Sequence, residues 1–164
     1  MIDLDPGTLV VSSLFMAAFI SPFVYHRIKS KKVEAQQNQS FEALSKQAGA
    51  LPEVKERWRN TYQIGLDRDN KKLVYQRYGE KPMESAVDLK TIGKVSVEEK
   101  AHTVVVEKEK RVILDYLALN LYPKDKEQAP ISLEFYDGEH FTDLLGERLL
   151  ANQWKGYLEQ EITH

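Results

Sequence analysis

The sequence predicts an α+β protein: an N-terminal transmembrane helix, then a mainly antiparallel β-barrel or curved sheet of about seven strands, with a C-terminal capping helix. Three features carry that prediction. An uncharged run fills Thr8–Tyr25, β-branched and aromatic residues alternate with polar ones from Asn60 onward, and the last stretch returns to helical spacing.

The run "TLVVSSLFMAAFISPFVY" is interrupted only by the hydroxyl-bearing Thr8, Ser12, Ser13, Ser21 and Tyr25 and by Pro22. At 1.5 Å per residue it makes a helix of about 27 Å, against a hydrocarbon core of roughly 30 Å. Apolar residues fall on every face, which leaves no polar side for a helix lying in the membrane interface. A secretory signal or a buried core helix is the alternative reading. A signal carries its cations before the apolar stretch, whereas this chain has Asp3 and Asp5 in front and Arg27, Lys29, Lys31 and Lys32 behind. By the positive-inside rule that order predicts a single-pass protein of the cell membrane, with its N-terminus outside and its C-terminal domain cytoplasmic. The same four cations are candidate contacts for anionic lipid, at about 1 kcal/mol each near the surface.

Composition narrows the chemistry. The 164 residues fit one domain with a short appendage. The chain has no cysteine, which excludes disulfides, thiolate catalysis and cysteine-ligated metal. Cut after Lys32, the first part holds four Lys/Arg against two Asp and the remainder 19 Lys/Arg against 23 Asp/Glu. An acidic domain does not gather the positive potential that nucleic acid requires, so nucleic acid is not an expected partner. The glycines are scattered with no phosphate-binding loop, and no nucleophile elbow surrounds a serine. His26, His102, His140 and His164 are far apart, none four residues from another, so no helical metal pair exists and no cofactor is expected.

The organisation divides into an anchor over 1–32, a helical connector over 33–59 and a β domain over 60–164. Val33, Phe41, Leu44 and Ala48 give the connector a partial apolar stripe, and Gly49 with Pro52 brackets a break. "EVKERWRN" reads as one more short turn. "TYQIGLD" and "KKLVYQRYG" flank an Asp/Asn-rich turn and predict a hairpin. "SAVDL", "TIGKVSVEE", "HTVVVEK", "RVILDYLALNLYP" and "ISLEFYD" complete the strands. In "GEHFTDLLGERLLANQWKGYLEQEI", Phe141, Leu144, Leu145, Ala151, Trp154, Leu158 and Ile162 recur at intervals of three, four or seven, which predicts a helix covering the sheet.

The span ending "SPFVYHRIKSKK", followed by "YQIGLD", "VDLKTIGKVSV" and "ISLEFYD" before a helix containing Trp154, resembles single-pass bacterial membrane proteins with a pleckstrin-homology-like domain, Bacteroidota being a candidate source. Another small barrel or an α+β sandwich is the competing fold. The resemblance implies that basic residues near the first hairpin hold inositol phosphates. The matching positions are Arg68, Lys71, Lys72 and Arg77, but the dense basic motif of that family is missing and Asp67 and Asp69 stand among the cations.

"FYDGEHFTD" gathers Asp137, Glu139, His140 and Asp143, a set able to ligate metal or move protons; an Asp-Gly turn leading into a helix accounts for the same residues. The functional expectation is a non-enzymatic binding or scaffolding module with an unidentified protein partner. A membrane-tethered enzyme using Asp137, Glu139 and His140, or an envelope assembly protein of opposite topology, is the alternative.

Overall fold

A computed structural model describes residues 6–106 and 109–163, without the side chains of 6–15, 17–24, 26 and 106. The chain divides into two compact units, Met1–Glu42 and Ala43–His164.

The described residues of the first unit are helix. α1 (Pro6–Gln47) passes through the expected span and continues unbroken across Arg27, Lys29, Lys31 and Lys32, all four exposed. Among the described residues no helix is long and apolar enough to cross a membrane. That finding corrects the expected transmembrane helix over Thr8–Tyr25, the single-pass character and the cell-membrane placement built on it. The physical reason lies in the helix itself. α1 does not end with the apolar run but continues from His26 to Gln47 through a largely polar sequence, as one helix of 42 residues. Asp3 and Asp5, on which the charge order rested, lie outside the described residues, as do His164 and the side chain of His26.

α1 ends where the sequence places a break. Gly49 adopts φ +61°, a left-handed conformation that glycine enters without a Cβ penalty. The Ala50 amide reaches back to Ser45 O (2.9 Å), and Lys72 Nζ donates to Ala48 O (2.6 Å) and Gly49 O (3.1 Å), placing a cation on the exposed carbonyls of the turn.

Seven antiparallel strands follow, in two sheets. The first sheet is β1 (Val54–Trp58), β2 (Tyr62–Asp67), β3 (Lys72–Arg77) and β4 (Met83–Asp88), in that order. A 3-10 turn (Leu89–Thr91), capped by the Asp88 carboxylate on Lys90 N, leads to β5 (Ile92–Val106), β6 (Glu109–Pro123) and β7 (Ile131–Asp137). Among the described residues no strand ladder joins the two sheets, so the expected barrel is corrected to two open sheets. The chain changes sheets through the 3-10 turn, which carries no ladder, and the sheets meet through side chains.

β1 is a difference from the sequence reading, which made "EVKERWRN" a helical turn. Its five residues pair with Tyr62–Leu66, and Val54 and Trp58 pack on the core. Cross-strand pairing outweighs the helix-forming composition of Lys, Glu and Arg. β5 merges two segments read as separate strands; its register slips between Lys100 and Ala101, so one bulge replaces a turn.

The core lies between the sheets, with Tyr62, Ile64, Leu66, Leu73 and Tyr75 facing Leu117, Leu119, Leu121, Leu133 and Phe135. α2 (Glu147–Thr163) covers it, resting on β5, β6, β7 and the 3-10 turn with Ala151, Trp154 and Leu158 inward. α2 starts later than the apolar spacing implied, because Gly146 holds φ +101° and the segment before it is not helical.

Trp154 is 1% exposed. Replacing it with alanine removes the largest side chain under α2, and Trp154→Ala is expected to cost about 3–5 kcal/mol in urea unfolding of the full chain. Lys155→Ala, on the solvent side, is expected to stay within about 0.5 kcal/mol.

Candidate functional site

A concave feature runs between β1 and the first turns of α2. It encloses about 360 Å³ and is lined by Glu56 and Trp58 of β1, Arg59, and Leu145, Glu147, Leu149, Leu150 and Gln153. The walls are built from opposite ends of the domain's sequence, and Arg59 joins them. Arg59 sits at φ 55° just after β1, so the chain leaves the strand abruptly and turns the guanidinium toward α2. Its side chain is 8% exposed, with Nε on Glu147, Nη1 on Asp143 (2.9 Å) and Nη2 on the Asp143 carbonyl. Its flat face lies 4.8 Å from the Phe141 ring centre. Burial opposes the charge on Arg59, but the hydrogen bonds and field of Glu147 and Asp143 outweigh it and raise the pKa. The guanidinium therefore stays charged, and its pair is internal.

Glu147 also works on its own backbone. As the first residue of α2 it accepts from Leu145 N (2.6 Å), so one buried carboxylate neutralises Arg59 and satisfies a donor before the helix. This fixes the approach to α2 with Leu145 and Leu149 outward, 73% and 76% exposed. Leu144 is exposed as well. Leu144 and Leu145 are therefore corrected from sheet-covering residues to surface leucines.

The cations singled out from the sequence are engaged within the domain. Arg68 faces Glu161 (3.7 Å) and lies over the Tyr157 ring (5.7 Å). Lys71 Nζ donates to Glu161 O (3.2 Å) near the end of α2, and Lys72 holds the turn after α1. Arg77 pairs with Glu134 (2.8 Å) between the sheets. Arg68 and Lys71 meet at Glu161, while Lys72 and Arg77 are held at other places in the domain. Asp67, which stands among them, is buried and accepts from Leu51 N (2.7 Å), Asn70 N (2.9 Å) and Asn70 Nδ2 (2.8 Å).

Asp137, Glu139 and His140 form a turn. The Asp137 carboxylate accepts from Glu139 N (2.9 Å) and meets His140 Nδ1 (3.1 Å), while its carbonyl accepts from His140 N and Phe141 N (both 3.1 Å). Asp143 is taken by Arg59. Among the described residues no group of His, Asp and Glu has metal-binding geometry. His102 pairs with Asp115 (2.6 Å) on the exposed part of the β5–β6 hairpin.

Arg59, Glu147 and Leu149 were not legible as site residues. Arg59 and Glu147 are 88 positions apart, and neither belongs to a motif. Leu149 did leave a signal, since it falls out of phase with the buried Glu147, Ala151, Trp154 and Leu158 of its own helix.

No family model, curated protein or solved structure matches the chain. Nothing in these comparisons identifies it as a membrane protein or as a pleckstrin-homology-like domain.

Two predictions follow from this geometry. Removing one partner of the buried pair strands the other, so Glu147→Ala is expected to cost about 3–5 kcal/mol in urea unfolding. For Asp67, burial is the largest influence and pushes the carboxyl up; the hydrogen bonds from Leu51 and Asn70, with Lys72 nearby, outweigh it and hold the pKa below its ordinary 3.8. A carboxyl lowered in the folded state stabilises above that ordinary value and loses its contribution as pH falls through the folded one. Asp67→Asn is therefore expected to lower stability at pH 7 and to flatten the fall below about pH 4 in acid titrations followed by circular dichroism.

Proposed function

We propose that the unit Ala43–His164 is a non-enzymatic binding module that takes an extended peptide segment in the groove between β1 and α2. One observation carries the reading: two leucines, Leu145 and Leu149, stand largely exposed at a helix start held by a buried ion pair, beside the outer strand of a sheet. Exposed leucines scattered singly have no special meaning, but apolar side chains gathered around a groove are the mark of an interaction surface. Among the described residues β1 has a strand partner on one side only, β2, and an outer strand is a template on which an extended segment adds main-chain hydrogen bonds. The groove volume suits one or two apolar side chains, with Trp58 and Leu150 as its half-buried floor.

The test uses the full chain and a displayed library of random ten-residue peptides, panned in parallel against the wild type and Leu149→Asp. Leu149 is exposed, so the variant folds as the wild type does. The expected result is a set of peptides enriched on the wild type and lost on Leu149→Asp. Enrichment that ignores the substitution, or none at all, overturns the reading.

A further inference from the structure

The charges around the groove specify its occupant further, an inference that rests on the peptide-binding reading above. Glu56 and Trp58 both line the groove, and residues two apart on a strand share one face. That face of β1 runs Val54, Glu56, Trp58, and its outer members pack on the core. A carboxylate thus interrupts an otherwise apolar row. Glu56 is exposed and forms no ion pair among the described residues, and neither does Glu53 just before the strand.

Lys55 and Arg57 alternate onto the opposite face of β1, and the cations on the α2 side are committed elsewhere. Arg59 is shared by Glu147 and Asp143, Arg148 pairs with Glu99 (3.1 Å), and Lys155 with Glu159 (3.5 Å). Gln153, the remaining polar wall, is neutral and donates to Tyr157 Oη (2.7 Å). The groove therefore carries surplus negative charge beside an apolar pit, and the geometry fixes how far apart the two lie.

We infer that the occupant is a strand-forming peptide carrying Lys or Arg two residues from a large apolar side chain, the cation meeting Glu56 while the apolar group fills the space between Trp58, Leu149 and Leu150. A strand added to β1 has the same rise as β1, so its side chains on the groove face recur at the spacing that separates Glu56 from Trp58, about 7 Å. Either chain direction satisfies the spacing, giving apolar-x-basic for one and basic-x-apolar for the other.

The experiment extends the same panning to Glu56→Lys and Glu56→Gln, both exposed replacements on the full chain. On the wild type, the pool that depends on Leu149 is expected to be enriched in Lys or Arg two positions from Leu, Ile, Met or Phe. On Glu56→Lys the enriched charge at that position is expected to become Asp or Glu. Individual wild-type winners, synthesised and titrated, are expected to weaken about two- to fivefold on Glu56→Gln. A pool that depends on Leu149 but shows no charge preference, or one that Glu56→Lys does not reverse, overturns this inference and leaves the groove reading standing. A gain in binding of uncharged peptides by Glu56→Gln also overturns it, since Glu56 then acts to keep strands off the edge. Absence of any pool that depends on Leu149 removes the groove reading and this inference together.

Discussion

Glu134 is the group on which the meeting of the two sheets depends. Its carboxylate accepts from Tyr62 Oη (2.6 Å) of β2 and pairs with Arg77 (2.8 Å) of β3, and its carbonyl accepts from Tyr75 Oη (2.7 Å). Three residues of the first sheet thus converge on one residue of the second. The register between β6 and β7 slips at this point, pairing Leu117 with Tyr136 and Ala118 with Glu134, so Phe135 has no partner across the ladder. That bulge turns Glu134, Phe135 and Tyr136 all toward the interior. Burial, with the nearby carboxylate, pushes the Tyr62 and Tyr75 hydroxyls well above their ordinary pKa, so both remain donors throughout the range in which the protein folds. A carboxylate in this position is costly to desolvate, and each of its oxygens is met by a donor, Oε1 by Tyr62 and Oε2 by Arg77.

The groove inherits its form from the same meeting. Phe135 O accepts from Trp58 Nε1 (2.9 Å) and the two rings stack at 4.7 Å, which pins the end of β1 to β7. Arg59 is the next residue, and its position is set before it reaches Glu147. The order of constraint therefore runs from the sheet contact, through a tryptophan, to an arginine, to the start of a helix. Each link is short-ranged and buried, so the surface leucines at its end are held by the core and not by one another.

Elements with strong periodicity were legible in the sequence: β2, β3, β6, β7 and the body of α2 lie where alternation or helical spacing put them. The strand total agreed for a compensating reason, since β1 was missed while β5 was divided in two. Both errors are tertiary in origin. "VKERW" has little strand character of its own and pairs because β2 lies alongside, and the bulge at Lys100 and Ala101 lets a strand pass through polar residues that mark a boundary locally. The apolar run of α1 was legible as apolar, but its assignment to a membrane span was not upheld. The site was least legible, because Arg59 and Glu147 acquire a role only when distant segments fold together. Leu149 left a signal as an apolar residue on the wrong helix face, whereas Glu56 left none, because "EVKERWRN" reads locally as a turn.

The unequal strand lengths of the second sheet carry a further consequence. Among the described residues β7 pairs with Tyr116–Leu121 alone, whereas β5 and β6 each continue well past it, so from Glu109 to Leu114 β6 has β5 as its one strand neighbour there. Val105, Val112 and Ile113 are exposed along this part. A two-stranded ribbon without a covered face contributes little cooperative stability of its own. Its amide protons are expected to exchange with solvent through local opening, and those of the buried Leu117, Leu119 and Leu133 only through unfolding of the domain. One continuous pair of strands thus passes from a covered to an uncovered stretch, and the change falls near the register shift at Lys100 and Ala101.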